Sequence, residues 1–315
     1  VTKGFITNTD SSFTAPGNNL DGLDFPTETT IDPAAQLRTG RHSSGANSRT
    51  KGYAAARFSG YQGTGFDAAQ SLTTGVDGLV FATQTLFTSS ATSGARGAYG
   101  ATNSETQGFW AGGCNFSRVT SSLVDGLDFP TETSLSTSAS VRTRYKLEGV
   151  SSASKGYYAG GNDFGAGYGT TFNEVDGIIF SNRTSVNPAM GLATTRWEVA
   201  GVNSSTNGYW CGGGFNQRDI TVYSEIDGIS FATETLINPA AGLAVARSSA
   251  AGLNSSTRGY VCGGYNRSST NSRLRAQLRE IDGIEFATET QINPSAALVI
   301  AKEYMASFQD YSNNP

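Results

Sequence analysis

Histidine, cysteine and charge are the scarce commodities in this chain, and their scarcity narrows its chemistry. A single histidine, His42, and three cysteines occur among 315 residues. Zinc and copper centres draw on several imidazoles or thiolates, so most such sites are excluded and no metal or cofactor is expected. Charged residues make up only 15% of the chain, and Asp and Glu exceed Lys and Arg to leave a formal charge of -4. That balance provides no excess of cations to attract nucleic acid or an anionic membrane, and neither is an expected partner. Long apolar runs are missing as well: the longest, Ala296 to Ala301, is far short of the roughly 20 residues that cross a bilayer. No charged segment followed by an apolar core opens the chain, and a soluble mature protein is expected. The first residue is Val1 and not Met, which leaves room for a leader or larger precursor removed earlier.

The cysteines also exclude a disulfide framework. Cys211 and Cys262 occupy the same place in two related segments, Gly208-Tyr209-Trp210-Cys211-Gly212-Gly213 and Gly259-Tyr260-Val261-Cys262-Gly263-Gly264, and Cys114 follows Gly112-Gly113. Equivalent positions of neighbouring repeats lie farther apart than the roughly 7 Å between Cα atoms that a disulfide spans, so three buried free thiols are expected.

What is abundant is glycine, with 39 residues, together with Ser, Thr, Asn and aromatics at 10%. Short strands joined by tight turns fit this composition, and the class is all-β. Six times an apolar residue leads into Asp-Gly, an apolar residue, a variable residue and Phe, with the aspartates at Asp21, Asp77, Asp125, Asp176, Asp227 and Asp282. Their spacings are 56, 48, 51, 51 and 55 residues, a period that belongs to solenoids and propellers. Because each unit needs its neighbours to bury its faces, residues 1–315 read as one domain.

The unit that begins at Arg196 shows the plan. A basic residue leads a small-residue strand, a polar turn (Asn203-Ser204-Ser205-Thr206) and a second strand through Gly208 to Gly213. A third strand follows at Ile226 to Phe231, then a turn and an exit through Leu236 to Ala241. Four strands per unit make a propeller blade. The leading basic residue recurs as Arg41, Arg96, Arg144, Arg196, Arg247 and Lys302. The chain begins on a second strand and ends on a first strand, so the carboxyl-terminal segment completes the opening blade and removes the open sheet edge. The expectation is a six-bladed β-propeller with four-stranded antiparallel blades, closed by the C-terminal strand.

These features resemble the kelch repeat: Arg and small residues on the first strand, Gly-Gly after the second (Gly112-Gly113, Gly160-Gly161, Gly212-Gly213, Gly263-Gly264) and an aromatic on the third. Blades one and two depart from it, with Ile6-Thr7-Asn8 and Ala54-Ala55-Ala56 in place of Gly-Gly, and no Trp opens the fourth strand. The Asp-Gly-apolar-x-Phe-x-Thr-x-Thr variant, as in Asp282 to Thr290, is similar to kelch-like repeats in virion proteins of tailed bacteriophages, notably of marine bacteria. The resemblance implies a virion surface, tail or fibre component.

Residues that repeat in every blade read as structural. Each Asp is expected to satisfy buried backbone donors or to pair with the recurring Arg. His42, next to Arg41, lies where other blades carry Ser248 or Trp197, and no Gly-x-Ser-x-Gly elbow accompanies it. Copper-oxidase chemistry of the kelch type needs more ligands than the chain has. The glycine-rich runs are not followed by a helical period, which removes a phosphate cradle. Asn-x-Ser/Thr triplets such as Asn115 to Ser117 and Asn203 to Ser205 fit glycosylation but are explained by turn chemistry. No catalytic residue is expected, Asp163 and Glu174 being the nearest approach to the carboxylate pair that a glycosidase uses.

What varies is the connection from second to third strand, which is therefore the expected binding surface. It carries Tyr61 and Phe66 in blade two, Phe116 and Arg118 in blade three, Phe164 and Tyr168 in blade four, Phe215 and Arg218 in blade five, and Tyr265, Arg267 and Arg273 in blade six. Aromatics and Arg are enriched at interface hot spots, and aromatic faces beside polar groups also suit sugars. The reading is a non-enzymatic structural or adhesion protein of the virion. Its partners would be other virion proteins or a host-surface protein or glycan, with a homo-oligomer within a larger assembly also open. The alternative is a secreted, carbohydrate-binding lectin.

Overall fold

A computed structural model describes residues 2–7, 20–33, 44–59, 71–115, 117–164, 169–215, 221–267 and 275–309. Every regular element among them is a strand, and they form six blades of four antiparallel strands, a β-propeller. In blade 5, Ala200–Asn203 pairs with Asn207–Cys211, which pairs with Ile226–Ser230, which pairs with Thr235–Ile237. Blades 2, 3, 4 and 6 repeat this order from first strands at Gly45–Asn47, Gly100–Asn103, Glu148–Ser151 and Ala251–Asn254. Blade 1 takes its first strand, Ser307–Gln309, from the far end of the chain and pairs it with Lys3–Thr7. Leu20–Asp24 and Thr29–Ile31 complete that blade.

Alternation along the second strand explains how the blades stack, since successive side chains point to opposite faces. In Asn207–Cys211, Tyr209 and Cys211 pack with Val261, Ile284 and Phe286 of blade 6, while Trp210 packs with Val150, Tyr157 and Val175 of blade 4. Both faces of this strand are therefore core. The tight turns are held by a recurring serine. Ser204 Oγ accepts from the amides of Thr206 (3.2 Å) and Asn207 (3.0 Å), and Ser48, Ser104, Ser152 and Ser255 do the same in their blades. Serine hydroxyls favour such local turns over continuing a strand.

The phenylalanine of the Asp-Gly unit is what joins one blade to the next. Phe81, Phe129, Phe180, Phe231, Phe286 and Phe25 stack on Phe5, Tyr53, Phe109, Tyr157, Tyr209 and Tyr260 of the preceding blade, with ring centroids 4.9–5.9 Å apart and planes within about 10°. The last of these pairs, Phe25 on Tyr260, links blade 1 to blade 6 and closes the aromatic circuit. Each stacked pair adds about 0.5–1.5 kcal/mol beyond its buried area.

The innermost strands form a second circuit, of hydrogen bonds. The amide of Asn47 donates to Asn103 Oδ1 (3.2 Å), Asn103 to Ser151 Oγ (3.0 Å), Ser151 to Asn203 Oδ1 (3.4 Å) and Asn203 to Asn254 Oδ1 (2.8 Å). Asn254 donates to Gln309 Oε1 (2.6 Å) and Gln309 to Asn47 Oδ1 (3.0 Å), which returns the chain of bonds to its start. An inner edge that would otherwise expose unpaired amides is thereby satisfied. Two positions before this ring the strands approach so closely that a Cβ on Gly149 would collide with Ala101 O, and one on Gly201 with Gly149 O.

The recurring Asp and basic residue meet inside the five blades in which both are described. Arg96 pairs with Asp125 (2.6 Å), Arg144 with Asp176 (2.7 Å), Arg196 with Asp227 (2.5 Å), Arg247 with Asp282 (2.6 Å) and Lys302 with Asp21 (2.7 Å). Each carboxylate also accepts a backbone amide, from Gly94, Arg142, Ala193, Val245 and Val299 in turn. The guanidinium of Arg196 donates further to Gly212 O and Glu225 O (both 2.9 Å), tying the strand ends together. Asp77 belongs to the same series; Arg41 and His42 lie outside the described residues.

Gly-Gly has an equally specific use. Gly113, Gly161, Gly213 and Gly264 donate their amides to the carbonyls of Arg144, Arg196, Arg247 and Lys302 of the following blade, at 2.7–2.9 Å. All eight glycines have φ between 62° and 101°, a range that L side chains rarely adopt. The two blades without the pair differ accordingly. In blade 2 the strand Lys51–Ser59 runs on, with a register shift between Ala55 and Arg57, and in blade 1 Thr7 N donates to Ala306 O (2.9 Å). Cys114, Cys211 and Cys262 are buried free thiols.

Candidate functional site

The two ends of the propeller axis differ in kind. One end carries the serine-locked turns between first and second strands. The other carries the variable connections together with the segments that lead into each first strand. At this loop face the residue two past the leading basic residue adopts positive φ in the five blades where it is described: Ala98, Lys146, Glu198, Ser249 and Tyr304, between 53° and 59°. None is glycine. Their backbones are linked across blades, Lys146 N to Ala98 O (2.7 Å), Glu198 N to Lys146 O (2.9 Å), Ser249 N to Glu198 O (3.0 Å) and Tyr304 N to Ser249 O (3.0 Å). These amide bonds offset the left-handed conformation, which costs about 1–2 kcal/mol per residue. Among the described residues, a run of uniform backbone thus presents five different side chains, one each from blades 3, 4, 5, 6 and 1, around the channel mouth.

Lys146 and Glu198 dominate that mouth. Their side chains form a nearly buried ion pair, and the Lys146 ammonium lies 3.7 Å from the centre of the Trp197 ring. Tyr145 and Tyr304 present their rings at 5.6 and 5.7 Å. Glu198 Oε2 accepts from Ser249 Oγ (2.5 Å), Ser248 Oγ (3.1 Å) and Tyr265 OH (3.4 Å). A cation held against aromatic faces in this way gains about 2 kcal/mol or more when desolvated. Tyr265, expected on the surface, is fully buried here between Trp197 and Tyr304.

Farther from the axis the loop face exposes a mixed cationic and aromatic surface. Phe164 stacks on Tyr145 with centroids 4.2 Å apart and packs beside Ala98 and Cys114, and Arg118 sits 5.9 Å above its ring. Arg118 owes its position to a tight turn in which its amide donates to Asn115 O (3.1 Å) while Val119 N donates to Asn115 Oδ1 (3.0 Å). Arg142, itself exposed, covers the buried ring of Phe172 at 4.3 Å and pairs with Glu174 (2.5 Å). Phe215 is exposed at 40%, and Val119 and Leu123 at 60% and 61%. Of the expected site residues the structure brings Arg118 and Phe164 together, leaves Phe215 open to solvent and buries Tyr265. Arg267 contributes backbone to a two-stranded ribbon with Arg275. Tyr61, Phe66, Phe116, Tyr168, Arg218 and Arg273 lie outside the described residues.

The two carboxylates nearest to a glycosidase pair have other occupations. Glu174 is engaged by Arg142, and Asp163 Oδ1 accepts from Thr170 N (2.6 Å). Among the described residues no three His, Cys, Asp or Glu side chains gather as a metal centre. The thiols are chemically quiet, since burial pushes Cys114, Cys211 and Cys262 up to about 12.

The opposite mouth is a polar bowl of about 390 Å³ bounded by the serine-locked turns of blades 2 to 5, with an exposed Arg49–Glu105 ion pair (2.7 Å) on its rim. Most of its hydroxyls are already committed to holding their own turns.

No protein-family model matches the chain, and no curated protein is significantly similar to it.

Proposed function

We propose that this propeller is a non-enzymatic binding module that engages a macromolecular partner through its loop face. The observation that carries this reading is the division of labour around the axis: side chains that repeat in every blade are spent on latches, stacks and turns, while those that differ meet at one mouth. Arg118 with Phe164, the exposed Arg142 and the exposed Phe215 supply the residue types that dominate protein interfaces. Lys3 and Gln309 sit at the face of the tight turns.

The partner we favour is another protein of a larger assembly, in keeping with the kelch-like repeat style of phage virion proteins and a role as a virion surface, tail or fibre component. Native purification followed by mass spectrometry tests it. Capsid, tail or fibre proteins that travel with the wild-type chain, and are lost from an Arg118→Ala, Phe215→Ala variant, support the proposal. Retention on polysaccharide alone, with no companion protein, would replace it with the lectin reading.

A further inference from the structure

Glu148 stands out from its counterparts. It opens the first strand of blade 4, where the other blades carry Ser44, Gly100, Ala200, Ala251 and Ala306. One long carboxylate therefore enters a space that five small residues leave open on the propeller axis. It lines both the loop-face mouth and an inner chamber of about 40 Å³ bounded by the Asn/Ser/Gln hydrogen-bond ring. No side chain of that chamber is both apolar and larger than Ala101.

The carboxylate has no cationic partner among the described residues. Gly149 N donates to Glu148 Oε1 (2.9 Å), and the Ala101 amide favours the charged form in the same way. The nearest ammonium, on Lys146, is paired with Glu198, and the neighbouring Tyr158 hydroxyl shares a hydrogen bond with Thr102 (2.7 Å). The residue as a whole is half-buried, and burial of the carboxyl outweighs both amides and pushes it up to about 7. A carboxylate in such surroundings is costly unless a proton or a cation neutralises it.

We infer that the channel holds a hard metal cation of sodium or calcium type beside Glu148, coordinated by its carboxylate and by neutral oxygens of the innermost strands. Oxygen donors of this kind, without nitrogen or sulfur ligands, select hard cations, and a chamber of about 40 Å³ has room for one ion together with water. The site is independent of whatever partner the loop face takes.

Thermal unfolding at pH 8, in sodium chloride, calcium chloride or N-methylglucamine chloride of equal ionic strength, tests the proposal. The expected result is a midpoint several degrees higher with sodium or calcium than with N-methylglucamine, and no such difference in Glu148→Gln. Whichever metal ion gives the shift identifies the charge the site accepts. Equal midpoints in the wild type, or a shift that survives in Glu148→Gln, would overturn it.

A proton as the occupant has a separate signature. With the folded carboxyl raised above its unfolded value, stability would fall as pH rises from about 4.5 to about 7, whatever cation is present, and that too would overturn the proposal. Should Glu148→Gln fail to fold, terbium luminescence of the wild type gives a second reading. Trp210, whose indole donates to Glu148 O (3.0 Å), would sensitise emission that calcium displaces. No sensitised emission, together with no cation-dependent midpoint, refutes the site.

Discussion

Four of the six blade interfaces carry a latch that the other two lack. At four, a turn glutamate with positive φ reaches back to a tyrosine hydroxyl on the preceding blade: Glu132 to Tyr53 (3.4 Å), Glu234 to Tyr157 (2.8 Å), Glu289 to Tyr209 (2.9 Å) and Glu28 to Tyr260 (3.0 Å). At three of these a cation joins, Lys51, Lys155 or Arg258. At the remaining two interfaces the turn residue is Gln84 or Arg183, and the stacked ring on the preceding blade is Phe5 or Phe109, without a hydroxyl. Acceptor and donor are present together or absent together. The stack is thus common to all six interfaces, while the polar latch is an addition that arises or disappears as a unit. A half-buried hydroxyl or carboxylate left without its partner would lose the hydrogen bond and keep part of its desolvation cost.

The largest effect comes from breaking something that all blades need. Asp227→Ala leaves the Arg196 guanidinium, fully buried, without its carboxylate, and breaking a buried pair from one side costs about 3–5 kcal/mol. Denaturant unfolding should show this loss in full, and a loss below about 1 kcal/mol would mean that the guanidinium's carbonyl partners suffice. Because the latch lies inside one blade, the damage should be the same whether the interface beside it carries a Glu–Tyr pair or not.

Much of this architecture was legible in the sequence. Six Asp-Gly units fixed blade number, and the basic residue ahead of each first strand and the offset termini gave ring closure. The Glu–Tyr pairs were legible in principle, because Tyr53 and Glu132 vary in step with Phe109 and Arg183 across the repeats, but their coupling emerges only once adjacent blades are superposed in space. The channel mouth was not legible. Positive φ usually announces itself through Gly or Asn, yet here Lys146, Glu198 and Tyr304 adopt it because cross-blade amide bonds hold them there. Tyr265 read as a surface aromatic from its place after Gly263-Gly264, whereas that pair turns the chain back so that the ring packs on Trp197. Glu148 carries no local mark in the sequence of a position that faces the axis.

A smaller effect separates the two kinds of interface. Tyr157→Phe removes one hydroxyl from a glutamate that Lys155 still engages (2.7 Å), so the loss should be about 1 kcal/mol. The reverse change, Phe109→Tyr, adds a hydroxyl opposite Arg183, where no carboxylate waits, and should give no gain. Equal effects of the two substitutions would show that the hydroxyl acts through ring packing and not through its glutamate.

The smallest effect concerns the thiols, and it sharpens the contrast between repeated core and variable face. With no disulfide among Cys114, Cys211 and Cys262, a reducing agent should leave the unfolding midpoint unchanged. The same thiols report local opening, because a thiol raised to about 12 by burial reacts only when its surroundings open. Cys211 and Cys262 lie within second strands that are core on both faces. Cys114 follows the Gly-Gly pair, held by single bridges to Gly97 and Thr120 at the base of a variable loop. Alkylation of the native protein, followed by peptide mass mapping, should therefore modify Cys114 first, with Cys211 and Cys262 labelled only at the rate of global unfolding. If all three react together, loop face and core open as one cooperative unit, and the division between them is one of chemistry without a counterpart in stability.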